Sequence, residues 1–88
     1  MRMKTAFILL AQYDGQAVVL IADVCRDYFA PLTVATLLRK IGAGEIRIPV
    51  VRMEKSQKGF KGVHVEDLAA YIDERRTAAV KECRQLCD

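Results

Sequence analysis

Eighty-eight residues with a formal net charge of +3, 52% hydrophobic and 28% charged, suit one compact domain and exclude a disordered or low-complexity chain. No stretch approaches the ~20 apolar residues a membrane span needs. The cysteines, Cys25, Cys83 and Cys87, are odd in number and form no Cys-x-x-Cys pair, which predicts a reducing compartment and no disulfide framework.

Charge is unevenly placed. Between positions 39 and 61 stand Arg39, Lys40, Arg47, Arg52, Lys55, Lys58 and Lys61 against Glu45 and Glu54, a local net of +5 that leaves −2 for the rest. A concentrated basic block on a nearly neutral chain fits a polyanionic partner; a solvated charged face is the commoner reading of such a run. A domain of this size also buries only ~60–65% of its unfolded surface, so a homo-oligomer, a dimer or higher on its partner, is expected.

The chain begins "MRMKTAFILLAQYDGQA". Its apolar run, Ala6 to Ala11, is shorter than a signal-peptide core and has no clear cleavage site after it, so a cytoplasmic protein is expected. Thr5 is placed to cap a first helix over 6–13 that stops near Gly15, although a run this dense does not separate a helix from a buried strand. "AVVL", residues 17–20, reads as a third strand beside a later hairpin.

Ile21, Val24, Cys25, Tyr28 and Phe29 mark one face of an amphipathic helix. "APL" at 30–32 breaks it, because Pro31 disfavours a helical residue before it. Thr33 then caps a second helix with apolar positions Val34, Leu37, Leu38 and Ile41, stopped by Gly42 and Gly44. Two short amphipathic helices across a three-residue turn, within 21–43, form a helix-turn-helix pattern, which an ordinary helical hairpin also shows. The outer face of the second helix tips the balance. It carries Ala35, Thr36, Arg39, Lys40 and Ala43 with no acid before Glu45, small and basic residues suited to a nucleic-acid groove.

Residues 49–65 read as a hairpin. Val51 and Met53 alternate with Arg52 and Glu54, Val63 and Val65 flank His64, and Gly59 and Gly62 are placed for its turns. Its tip, "KSQKGFK", stays in water, with Phe60 folding back on the hairpin in preference to meeting a partner. His64 reads as a surface or hydrogen-bonded residue. Glu66 and Asp67 start a long helix over 66–87. It bears a first stripe of Val65, Leu68, Ala69 and Ile72, then "DERR", then a second stripe of Ala79, Val80, Cys83, Leu86 and Cys87. The tail either pairs with another subunit, packs on the N-terminal helix or frays.

Catalysis is not expected: there is one histidine, no nucleophile–base spacing and no phosphate-binding glycine motif. Cys83 and Cys87, four apart with His64 remote in sequence, read as free thiols and not as zinc ligands, so no metal or cofactor is expected.

"TAFILLAQYDGQAVV", "VCRDYF", "LLRKIGAGEIRIPVVRMEKSQKG" and "KGVHVEDLAAYIDERR" resemble the pyocin activator protein family of small bacterial and prophage-encoded transcriptional regulators. The element order is similar, more distantly, to the winged-helix domains of excisionases and the MerR class. The residues by themselves support an α+β winged helix-turn-helix over 1–88, mainly helical with a small β-hairpin and a long C-terminal helix. In it Thr33, Thr36, Arg39 and Lys40 form a recognition helix for double-stranded DNA, and Arg52, Lys55, Ser56, Gln57, Lys58 and Lys61 form a basic wing. The family resemblance further implies activation of bacteriocin or prophage gene clusters from promoter-upstream DNA, where RNA polymerase is a candidate partner. The alternatives are an excisionase-like architectural protein that bends DNA and a protein-interaction module that docks an acidic partner.

Overall fold

The computed structural model describes residues 4–55 and 60–87. In chain order the elements are α1 (Thr5–Gln12), β1 (Val18–Leu20), α2 (Ile21–Tyr28), α3 (Val34–Gly42), β2 (Val51–Arg52), β3 (Lys61–His64) and α4 (Val65–Cys87). Branched residues favour the pleated conformation of the strands, and all pairing is antiparallel. The sheet order is β1-β3-β2, with Val19 opposite Val63 and Val51 opposite Gly62. Helices dominate, and with this small sheet and the long last helix they form an α+β, winged helix-turn-helix-like fold.

Two strands run directly into helices. Leu20 ends β1 and Ile21 starts α2; His64 ends β3 and Val65 starts α4. The Val65 N–H donates to the Ala17 carbonyl at 2.8 Å, closing the β1–β3 ladder at the root of α4. The His64 ring, half-buried, accepts the Glu66 N–H at Nδ1 over 3.0 Å and so satisfies one of the orphan donors of that helix start. Around this junction lies the core: Leu9 from α1 and Tyr13 at its C-cap, Val19, then Ile21, Val24 and Cys25 from α2, Leu37 from α3, Ile46 and Ile48 from the connection, and Val63, Val65, Leu68 and Ala69.

α1 lies against the first part of α4. Thr5 is the first residue of α1 and not its cap; Lys4 holds that place without a side-chain hydrogen bond. The Thr5 hydroxyl instead donates to Asp73 Oδ1 at 2.6 Å, a link across 68 residues that local pattern could not reveal. A second polar link ties α1 to α2. The Tyr13 hydroxyl donates to Asp27 Oδ2 at 2.8 Å, and Arg26 donates to Asp27 Oδ1 at 3.0 Å and to Asp23 Oδ1 at 3.1 Å. Burial, then the bond to Asp27, pushes the Tyr13 phenol well above its usual range. The bond from Arg26, then that from Tyr13, holds the Asp27 carboxyl below its ordinary 3.8.

The hairpin departs from strict alternation. Met53 is 65% exposed, whereas Val51 is half-buried. β2 is only two residues long, and the Met53 N–H reaches the Phe60 carbonyl at 3.2 Å with its side chain already beyond the core. The inward positions are filled from before Pro49, by Ile46 and Ile48. Tyr28 likewise lies at the edge of its apolar face, 38% exposed, with its hydroxyl on Gln12 Oε1.

Gly62 serves packing and not a turn. It is buried inside β3, where an added Cβ would stand 2.6 Å from the Val19 carbonyl oxygen, 2.7 Å from the Phe60 ring and 2.8 Å from Val18 Cγ1. Phe60 folds back over the space that this glycine leaves. Because one neighbour is backbone in the paired strand, Gly62→Ala is expected to cost about 1–3 kcal/mol and to lower the midpoint of thermal unfolding by several degrees. An unchanged midpoint would contradict the crowding.

Asp27 generates a pH prediction. A carboxyl whose folded pKa is depressed contributes stability above its unfolded value and loses it as pH falls through the folded value. Asp27→Asn is expected to lower the unfolding midpoint at neutral pH, with the deficit shrinking as pH falls below about 4. Unfolding midpoints measured across an acid series check both the sign and the window.

Candidate nucleic-acid interface

α3 is assembled by local rules. Thr33 is its N-cap: Oγ1 accepts the Thr36 N–H at 3.2 Å and donates to Thr36 Oγ1 at 2.9 Å. Arg39 and Lys40 fall in its last turn, where cations complement the helix dipole. Gly44, at φ +79°, takes the left-handed conformation that turns the chain away after Ala43.

The two faces of α3 differ sharply. Leu37 is buried, and Val34, Leu38 and Ile41 pack half-buried against the core. Ala35, Arg39 and Ala43 are exposed on the other side, with Thr36 and Lys40 half-buried at its margins. Lys40 Nζ lies 3.5 Å from Glu45 Oε2, a surface pair worth little in stability but enough to direct the lysine. Of the sequence candidates on this helix, Arg39 is the cation that α3 presents to water. Thr33 is exposed, yet its hydroxyl already serves the cap.

The connection from α3 to β2 carries a cation that the site prediction left out. Arg47 stands exposed between buried Ile46 and Ile48. The alternation of Ile46, Arg47 and Ile48 was the available signal. A hairpin that starts at Pro49 leaves both isoleucines outside its alternation.

In the hairpin, Arg52 and Lys61 are direct cross-strand partners. A directly opposed pair projects from one face of an antiparallel ladder, and like charges so placed repel one another. Arg52 is exposed and Lys61 half-buried. Lys55 is exposed as well, whereas Ser56, Gln57 and Lys58 lie outside the described residues. The wing candidates that the structure brings together are therefore Arg52 and Lys61, and the two isoleucines tie the wing's base and the end of α3 to one core. Among the described residues there is no cluster of three metal-ligating side chains, and no helix is long and apolar enough to cross a membrane.

A family model described as "Pyocin activator protein PrtN" matches residues 5–79. No curated protein and no solved structure matches the chain.

The cap and any role of Thr33 toward a ligand can be separated. Thr33→Ala is expected to destabilise the fold by about 1 kcal/mol through loss of the cap alone, read by denaturant unfolding without any ligand; no loss would show that the cap bond is idle.

Proposed function

The chain belongs to the pyocin activator protein family, a family of regulators and not of enzymes, and on that premise we propose that it activates transcription by binding double-stranded DNA upstream of bacteriocin or prophage promoters. In this reading residues 1–88 act as one DNA-binding domain in the cytoplasm, associated with the nucleoid and contacting RNA polymerase. α3 enters the major groove with Thr36, Arg39 and Lys40 toward the base edges. The end of the helix at Thr33 approaches a phosphate through backbone N–H groups. Arg52, Lys55, Ser56, Gln57, Lys58 and Lys61 follow the adjacent backbone, and Arg47 adds a further contact between helix and wing.

The observation that carries the reading is the opposed pair Arg52 and Lys61. Two cations facing each other on a short ladder cost stability unless an anion lies between them, and a phosphate relieves the repulsion of both at once. The face of α3 agrees with it, having a basic residue and two alanines exposed where acids would serve solubility as well.

If about five cations meet phosphates, the logarithm of the affinity should fall with the logarithm of salt concentration at a slope near −4 to −5. Arg39→Ala is expected to weaken binding and to relax sequence preference, whereas Lys58→Ala or Lys61→Ala should weaken binding to all duplexes about equally. Titration of the upstream regions of bacteriocin clusters against random duplexes measures all three. An affinity independent of salt would overturn the reading. Tight binding that bends DNA yet fails to raise a promoter reporter would reassign the chain to an architectural role.

A further inference from the structure

Along α4, Val65, Ile72, Ala79 and Leu86 recur every seven residues, with Ala69, Arg76 and Cys83 at an equally regular offset. Seven-residue recurrence on two adjacent positions is the spacing of a helix–helix seam. The first part of this stripe is used within the chain: Val65, Leu68 and Ala69 are buried and Ile72 is half-buried. The same face then runs off the body. Residues 73–87 are all exposed, Leu86 at 80%. Where the stripe leaves the body, Tyr28, Phe29, Leu68, Tyr71, Ile72 and Arg75 line an open, mostly apolar cleft of about 200 Å³.

We propose that a second copy of the chain covers this stripe, with the two α4 helices antiparallel and a two-fold axis at Ala79. Leu86 and Ile72 each lie seven residues from that position, so the axis sets Leu86 of each copy over Ile72 and the apolar cleft of the other. Arg76 and Glu82 each lie three residues from it, so each Glu82 meets Arg76, with Arg75 beside it, on the opposite helix. The single interruption of the stripe thus becomes a pair of ion contacts related by symmetry. Ala79, at the crossing, lets the two backbones approach. Parallel pairing would stack Arg76 on Arg76, and like charges so placed repel one another. Ile72, Ala79 and Leu86 offer a polyanion only apolar contacts, whereas a second copy of the stripe covers all three.

Sedimentation equilibrium of the full chain without DNA tests the proposal independently of DNA binding. The expected result is a mass of twice 9.9 kDa at high micromolar concentration. Leu86→Asp, Glu82→Arg and the double change Arg75→Glu with Arg76→Glu should each weaken dimerisation tenfold or more. Every one of these positions is exposed, and circular dichroism confirms that the fold is kept. Mixing the Glu82→Arg chain with the doubly changed chain should restore a dimer, since each opposed pair then joins unlike charges. A native chain that stays monomeric, a dimer indifferent to these changes, or a mixture that fails to associate would each overturn it. So would a monomer in which Leu86→Asp weakens DNA binding instead, because the stripe would then serve DNA.

Discussion

The pairing of β1 with β3 is the constraint on which the other elements depend. Val19 and Val63 face each other across it, both fully buried, and each strand passes without a break into a helix. The ladder therefore orients α2 and α4 together, and α3 packs against α2. Gly62 is the point of closest approach, where backbone, a valine and an aromatic ring converge on a site with no room for a side chain. Sheet geometry at one residue thus governs the placement of a helix more than twenty positions away in sequence.

Local chemistry made much of this legible in advance. The apolar spacing of α2 and α3, the cap at Thr33, the strand at 18–20 and the acidic start of α4 all follow from residues within one or two turns of each other. What escaped depends on partners distant in the chain. Thr5 looks like a cap until Asp73 arrives from the other end of the sequence. Met53 looks buried by alternation until the short ladder ends before it, and Ile46 and Ile48 fill the space that the alternation had assigned to it. Gly62 resembles a turn residue because glycine's two uses, left-handed backbone and absent volume, read alike in sequence. The candidate site was legible by residue type and only partly by place, since no local rule sets Arg52 across from Lys61 or leaves Arg47 as the outward member of a buried run.

The electrostatic arrangement separates two kinds of charge. Arg26 pairs with both Asp23 and Asp27, and Asp27, through Tyr13, ties the end of α1 to α2. That cluster stands in the part of the chain that carries no basic excess. The basic block, by contrast, includes a directly opposed pair of like charges. Such a pair is a local conflict in an otherwise consistent design, and conflicts of this sort belong where function is exacted at some expense to stability.

The β1–β3 ladder also dictates an order of events during synthesis. Val19 meets its partner only after Val63 has been made, and α1 finds its packing surface only when α4 has followed. The first two-thirds of the chain, with the whole helix pair, thus leaves the ribosome while Val63, Val65, Leu68 and Ala69 of the core are still to come. Because these contacts join residues far apart in sequence, loop-closure entropy opposes them until late. The helix proposed to touch DNA is thus held in its final attitude only once the C-terminal helix has emerged, so its placement is a property of the finished chain and not of the helix pair alone.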